Sequence, residues 1–174
     1  MEPIDTQQIT LRALEPSDLD LVFRWENDPS VWPLGNTIAP LSRFQLDEYI
    51  RAYSADIFRD RQLRLMIVDA TSGTSVGTID LYDFEPQHGR AAVGIFIDPA
   101  HRRRGFASAA IDAIKRLCRD RLGFVSLWCT IAVTNVPSLQ LFESRGFEVS
   151  GTLRSWIRRG DNFIDAFILQ NLDL

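Results

Sequence analysis

The stretch that decides the fold is Ile95-Phe96-Ile97-Asp98-Pro99-Ala100-His101-Arg102-Arg103-Arg104-Gly105-Phe106-Ala107. It reads as an apolar strand that runs into a basic turn containing a glycine, and the turn opens a helix. The first amides of a helix have no partner within it, and its dipole places about half a positive charge there. Because Gly105 and the small Ala107 let an anion approach the backbone, the stretch predicts a phosphate or diphosphate site. A solvated basic turn that only caps the helix is the alternative.

The stretch departs from the two common nucleotide-binding motifs. A P-loop needs a Gly-Lys-Ser/Thr sequence, which does not follow here. The dinucleotide fingerprint needs three glycines, and Gly105 is the only one in this turn. The anion is therefore expected on helix amides with help from the three arginines.

The rest of the chain predicts an α/β (α+β) protein, a mixed sheet with helices packed on its faces. We predict strands at residues 9–14, 63–68, 76–84, 91–97, 125–133, 148–154 and 163–169. We predict helices at residues 17–26, 42–59, 105–122 and 136–145. Ser17 is the expected N-cap of the first helix, Ser42 and Gln45 form a capping box for the second, and Gly146 suits a left-handed C-cap.

Composition narrows the class of protein. A length of 174 residues predicts one domain over 1–174 that needs no metal or disulfide to fold. The net charge of −4 argues against nucleic acid or an anionic membrane as a partner. No apolar run approaches the ~20 residues of a membrane span. With two cysteines and no signal-peptide pattern after Met1, we expect a cytoplasmic protein.

Three motifs resemble the GNAT superfamily of N-acetyltransferases. Arg102-x-x-Gly105-x-Ala107 is similar to that family's acyl-CoA signature. Asn135-x-x-Ser138-x-x-Leu141-Phe142, followed by Gly146-Phe147, is similar to a second family pattern. The opening Leu11-Arg12-Ala13-Leu14-Glu15-Pro16-Ser17-Asp18 resembles the ribosomal-protein and polyamine acetyltransferase branches.

The resemblance implies a seven-stranded, mostly antiparallel sheet with splayed central strands and acetyl-CoA as co-substrate. Backbone groups of Phe96 and Ile97 would then bind pantetheine. The amides of Arg103, Arg104, Gly105, Phe106 and Ala107 would bind the diphosphate, beside Arg102. Asn135, Ser138 and Phe142 would line the cofactor site, although Asn135 equally suits a plain N-cap.

The resemblance also implies direct attack of a neutral amine on the thioester, and here the chain departs from the family. The usual acid is a tyrosine at the position of Phe142, and phenylalanine donates no proton. Tyr82, Cys129 or water could serve instead, with a half-buried strand tyrosine as the simpler interpretation of Tyr82. Asp80 and Asp83 are candidates for the base or for binding a cationic substrate. Solvent-facing strand acids are the alternative for both.

The family's acceptor wall would include Glu26 and Asp28 at the end of the first helix, and Trp32 in the following loop. Surface charge and core packing explain these residues as well. We expect a small primary amine as acceptor, foremost a polyamine such as spermidine, with a peptide N-terminus as the runner-up. A non-catalytic acyl-CoA-binding domain is the alternative from another class. The sequence does not fix the oligomeric state, and a homo-oligomer is compatible with it.

Overall fold

The computed structural model describes residues 4–32, 39–53 and 56–174, and a single sheet runs through it. The strand order is β1-β2-β3-β4-β5-β6-β8-β7, and only β5 and β6 are parallel neighbours. The strands are β1 (Ile4–Asp5), β2 (Ile9–Ala13), β3 (Gln62–Asp69), β4 (Ser75–Glu85), β5 (Arg90–Ile97), β6 (Ser126–Ala132), β7 (Glu148–Arg159) and β8 (Asn162–Asn171). The seven predicted strands are confirmed. The added β1 is too short to show a periodicity in the sequence.

The helices are α1 (Leu19–Glu26), α2 (Arg43–Ala52), α3 (Ile57–Asp60), α4 (Phe106–Leu117) and α5 (Val136–Glu143). The predicted helix at 42–59 is wrong in extent, because α2 ends at Ala52 and Asp56 caps a separate short helix. The Ser42–Gln45 capping box is confirmed. No helix in the described ranges is both long and apolar enough to cross a membrane.

The start of α1 differs from the prediction. A 3-10 turn, Pro16–Asp18, precedes the helix, so Ser17 lies inside that turn and is not the cap. The Asp18 carboxylate instead accepts the amide of Glu15 at 2.9 Å and two hydrogen bonds from Arg12 at 2.7 Å. A partly buried ion pair and a capping box between Glu15 and Asp18 therefore fix the start of the helix.

Two apolar layers hold the helices against the two faces of the sheet. Alternate side chains of β4 lie on opposite faces, so Ile79 and Leu81 are buried in the layer under α4. Ala110, Ile111 and Ile114 form the buried stripe of α4. The opposite layer joins α1 and α2 to β3 through a cluster made of Leu14, Val22, Trp25, Leu46, Ile50, Met66 and Val68.

The two central strands separate part-way along their length. Strand β5 pairs with β6 at Arg90–Ser126, Ala91–Leu127 and Ala92–Trp128. Beyond Ala92 the described ladder stops, although β5 continues to Ile97 and β6 to Ala132. Since β6 keeps its pairing with β8 over Leu127 to Ala132, it follows β8 and leaves β5. The resulting gap confirms the splayed central strands.

Candidate active site

Backbone groups on one edge of β5 face the gap. The amide of Asp98 donates to Val76 on β4 at 2.9 Å, so residue 98 is directed toward β4. Successive residues of a strand alternate in hydrogen-bonding direction. The amides and carbonyls of Ile95 and Ile97 therefore point into the gap, and those of Phe96 point to β4. This geometry corrects the assignment of the Phe96 backbone to pantetheine.

The basic turn closes one end of the gap. Arg102 donates from Nε to the carbonyl of Ile97 at 2.9 Å, which ties the turn to the last residue of β5. Arg103 follows in a left-handed conformation, with φ of 63°. Both side chains are exposed. The guanidinium of Arg102 thus already has a backbone partner, and its remaining donors are available to an anion.

The start of α4 has a geometry that suits an anion. Gly105 is its N-cap with φ of +85°, in the left-handed region, and no side chain caps the helix. The first amide used within the helix is that of Ala109, which donates to Gly105 at 3.1 Å. In the described part of the chain, nothing accepts from the amides of Phe106, Ala107 or Ser108. These free donors fit a diphosphate, and the buried ring of Phe106 anchors the helix start beneath them.

Gln8, which no sequence pattern singles out, holds this turn from the other side. Its amide nitrogen Nε2 donates to the carbonyl of Arg104 at 2.7 Å, across 96 positions of sequence. A Cβ atom at Gly105 would lie 3.0 Å from the same nitrogen. Arg104 also approaches the carboxylate of Asp69 at 3.8 Å. A lone glutamine before a strand carries no signal of such a contact.

Asn135 is the N-cap of α5. Its side-chain oxygen accepts the amide of Ser138 at 3.4 Å, as an N-cap does, and both residues are half-buried. Phe142 lies one helix turn deeper and is only 3% exposed. Its ring stands at 90° to that of Phe147, with centroids 5.0 Å apart. Phe142 is thus a core residue in this structure.

A second residue absent from the sequence predictions, Arg64, organises the acids on the α1 side of the sheet. It lies opposite Asp80 in the β3–β4 ladder and donates from Nε to the Asp80 carboxylate at 2.7 Å. Its Nη1 donates to Glu26 at 2.9 Å. Burial alone lowers the pKa of Arg64, but Asp80 raises it above the usual value, so the group stays charged. The three side chains together carry one net negative charge.

Tyr82 lies where the gap begins. Its β5 partner is Ala92, the last residue of β5 that pairs with β6. Its ring meets Trp128 edge-on, with centroids 6.5 Å apart. Burial raises the pKa of Tyr82 to about 12, so the phenol stays neutral and keeps its proton at neutral pH. The neighbouring Asp83 is exposed, at an irregularity of the ladder with φ of 48°.

The remaining predicted acceptor residues lie just after α1. Trp32 donates from its indole nitrogen to the carbonyl of Glu26 at 2.8 Å. Asp28 accepts the amide of Ser30 at 2.8 Å, and hydrogen bonds from Ser30 hold the pKa of Asp28 below its usual value. Residues 33–38 of the predicted loop lie outside the described ranges. Within those ranges no cluster of three or more His, Cys, Asp or Glu side chains suits a metal ion.

Fold and site together define an acyltransferase: a mixed sheet opens between its central strands, and a helix start with free amides faces the opening. The family described as Acetyltransferase (GNAT) domain matches residues 8–148, which is well over half of the chain. The chain belongs to the GNAT family and is an N-acetyltransferase.

Three comparisons place the chain within that family. It is 28% identical over 146 residues to a spermidine N(1)-acetyltransferase of Vibrio cholerae, covering 84% of this chain and 82% of the relative. The fold matches that of the Vibrio cholerae spermidine N-acetyltransferase solved with CoA and spermine, with a TM-score of 0.86, 24% identity and 97% of both chains covered. A dodecameric structure of spermidine N-acetyltransferase from Vibrio cholerae matches at 26% identity, with a TM-score of 0.76 over 96% of this chain and 95% of that one.

Proposed function

We propose that this N-acetyltransferase moves the acetyl group of acetyl-CoA to a primary amine of a small molecule, foremost a linear polyamine such as spermidine. The observation that carries the proposal is the gap beyond Ala92 and Trp128, with free helix amides at one end and acids on one face. A donor with a diphosphate and a long amide-bearing arm suits the first feature. A cationic acceptor suits the second.

Unpaired backbone groups favour acetyl-CoA as the donor. The amides of Phe106, Ala107 and Ser108 would bind the diphosphate, with Arg102 beside them. The inward-facing backbone of Ile95 and Ile97 would bind the pantetheine arm, much as an added strand does. Asn135 and Ser138 lie at the start of the neighbouring helix and would contact the same arm. A coenzyme A group is present in the related Vibrio cholerae structure, which supports this choice of donor.

The reaction forms one carbon–nitrogen bond and breaks one carbon–sulfur bond. The neutral amine attacks the thioester carbonyl, and a backbone amide of β5 stabilises the negative oxygen that develops. The amine then loses a proton to a nearby carboxylate or water, and the departing sulfur gains one. The thiol of the product has a pKa near ~8.5 by analogy with cysteine, so its protonation at neutral pH is favourable.

We assign the proton donor to Tyr82 instead of Phe142. Phe142 has no exchangeable proton and is buried against Phe147. Tyr82 keeps its phenolic proton, because burial raises its pKa, and it lies at the mouth of the gap. The Tyr82→Phe variant is expected to lose kcat by about two orders of magnitude, as removal of a general acid typically does, with an unchanged Kd for coenzyme A. A kcat within twofold of wild type would remove Tyr82 from the mechanism.

The charge of the acidic side chains favours a cationic acceptor. Glu26 and Asp80 keep one net negative charge after Arg64 is counted, and Asp28, two residues after Glu26 in the chain, carries another. A polyamine carries several positive charges and would gain from both. The 28% identity to a spermidine N(1)-acetyltransferase supports the same acceptor class.

A coupled thiol-release assay tests the proposal with spermidine, a peptide that begins with alanine, and an aminoglycoside. Spermidine is expected to give the highest kcat/KM. The peptide as best acceptor would favour N-terminal protein acetylation, and binding of acetyl-CoA without turnover would favour a non-catalytic binding domain. The control is Gly105→Glu, which places bulk and negative charge where the diphosphate would bind and should abolish both binding and turnover.

We also propose that the chain associates with copies of itself through the outer strand β7. Trp156 on β7 is 60% exposed and Phe163 on β8 is 58% exposed, an unusual placement for large apolar rings. A relative from Vibrio cholerae is dodecameric, which supports self-association. Light scattering should give a mass of two or more chains, reduced by Trp156→Ser. A wild-type mass of one chain would contradict this.

A further inference from the structure

Neither the backbone conformation nor the packing of the described residues requires a glycine at position 94 in the central strand β5. The φ of Gly94 lies outside the left-handed region, so the backbone would accept any residue. Among the described residues, leaving out the two chain neighbours, a Cβ atom there would have one atom within 4 Å, Cε1 of Tyr82 at 3.4 Å, which is an ordinary contact. Gly77 on β4 is different, because its Cβ would lie 2.1 Å from the carbonyl of Phe96. Glycine inside a strand often marks the close approach of a ligand.

Gly94 lies where the absence of a side chain leaves room for a ligand. Ala91, Ala92 and Val93 are buried, and Gly94 is the first residue of β5 after Arg90 that is partly exposed. It lies two positions beyond Ala92, where the pairing with β6 ends. The space over Gly94 therefore opens directly into the gap, on the face that carries α1 and α2.

Two polar groups flank that space. Asp80 is the cross-strand partner of Gly94, so their Cα atoms are about 5 Å apart. One oxygen of Asp80 accepts from Arg64 and Gln62, and the other has no hydrogen-bond partner in the described ranges. Tyr82 lies two residues after Asp80 on the same face of β4, and its ring atom Cε1 comes to 3.4 Å from the place that a Cβ of residue 94 would occupy. A carboxylate oxygen and an aromatic ring are both favourable neighbours for an amine or ammonium group.

The Tyr82 ring bounds this space, since its Cε1 lies 3.4 Å from the place that a Cβ would occupy. A substrate carbon in contact with the Gly94 backbone would therefore lie beside that ring. An unbranched carbon presents only hydrogen atoms to the ring, whereas a branched carbon presents a methyl group that needs more room.

We propose that Gly94 is the specificity-determining residue for the acceptor. The space left by its missing side chain holds the carbon that bears the reacting amine. The substrate class is therefore primary amines on an unbranched CH₂ group. This inference rests on the proposed acetyl transfer. It adds a reason, independent of charge, why linear polyamines would be preferred to peptide N-termini, whose amine sits on a branched carbon.

The test compares Gly94→Ala with Gly151→Ala, a matched control. Gly151 is also a strand glycine without a left-handed φ, and a Cβ there meets nothing within 4 Å. One methyl group in a substrate pocket changes kcat/KM by about 10- to 200-fold. Gly94→Ala should therefore lower kcat/KM for spermidine by at least about tenfold, and Gly151→Ala should leave it within twofold. The Kd for coenzyme A, from calorimetry, should be unchanged in both.

A second measurement needs no variant. Wild-type enzyme should acetylate spermine at least about tenfold more efficiently than the spermine analogue with a methyl group on each terminal carbon. Equal kcat/KM for Gly94→Ala and wild type, or for the two spermines, overturns the role of Gly94 and leaves acetyl transfer intact. Absence of coenzyme A binding, or of turnover with every amine of the panel, defeats the proposed function and this inference together.

Discussion

The indole nitrogen of Trp25 donates a 2.7 Å hydrogen bond to the carboxylate of Asp98, and this bond joins helix α1 to the end of β5. Trp25 belongs to α1, and Asp98 directly follows β5 and caps the turn that leads to Arg102 through the amide of Ala100. Burial acts to raise the pKa of Asp98, but the hydrogen bonds from Trp25 and Ala100 lower it below its usual value. Asp98 therefore stays ionised and holds the turn.

Replacing Trp25 with phenylalanine should loosen that turn. Trp25→Phe removes the hydrogen bond but keeps a ring against Phe96, whose centroid lies 5.4 Å away. A hydrogen bond to a charged group contributes about 1.5–3 kcal/mol, so part of that loss should appear as a Kd for coenzyme A weakened by up to about tenfold. Trp32→Phe is the control, because it also loses an indole hydrogen bond, to Glu26, away from the turn. Equal Kd values for the two variants would disprove the link.

The left-handed glycine at the start of α4 gives a second prediction. Gly105→Ala puts a side chain on a residue with φ of +85°, which strains the backbone. The new Cβ would also lie 3.0 Å from the side-chain amide nitrogen of Gln8, so the turn must shift. Gly123→Ala has a similar strain, with φ of +65° and nothing within 4 Å. Both variants should lose about 1–2 kcal/mol of unfolding free energy in denaturant titrations. Only Gly105→Ala should also weaken coenzyme A binding by tenfold or more, and a normal Kd in that variant would contradict the anion site.

Local sequence patterns predicted the elements well, and the contacts between distant residues much less so. The helix start at Gly105 follows from a residue type that few others can replace, and so does the left-handed conformation of Gly146, which lies two residues after the actual C-cap of α5, Ser144. Arg64 and Gln8 were missed because their partners lie 16 to 96 positions away in the chain. The direction of the Phe96 backbone depends on the β4–β5 register, which alternation within one strand does not reveal. The chemistry of the site can be inferred only when this register is known, whereas strands and helices can be predicted without it.

The charge of Asp80 gives a third prediction. Asp80→Asn keeps an oxygen for Arg64 but removes one negative charge beside Gly94. Opposite charges about 4 Å apart interact by roughly 1–4 kcal/mol, so kcat/KM for spermidine should fall about tenfold. The loss should shrink at high ionic strength, where the wild-type attraction is screened. Kinetics at low and high salt measure both effects.

Asp83 provides the comparison for Asp80. It is exposed, and asparagine accepts its left-handed φ of 48° readily. Asp83→Asn is therefore expected to change kcat/KM for spermidine by less than twofold. A larger loss in Asp83→Asn than in Asp80→Asn would transfer the cation-binding role to Asp83.

The three tyrosines of the chain should make the fold sensitive to alkali, and this is the fourth prediction. Burial raises the pKa of Tyr53 and Tyr82 from 10.0 to about 12, and it raises that of Tyr49 as well. A group whose pKa is higher in the folded than in the unfolded state stabilises the fold fully below its unfolded pKa. That contribution is lost as the pH rises, so the free energy of unfolding should decline between pH 10.0 and about 12.

Tyr82→Phe isolates one part of that decline. The variant has no phenol at the mouth of the gap, so its free energy of unfolding should fall less steeply over the same pH window than that of wild type. Denaturant titrations at several alkaline pH values measure the slopes, and the absorbance of tyrosinate reports ionisation directly. Identical slopes in the two proteins, or full ionisation of all tyrosines near pH 10.0 in the folded state, would show that Tyr82 is not the protected phenol that the mechanism requires.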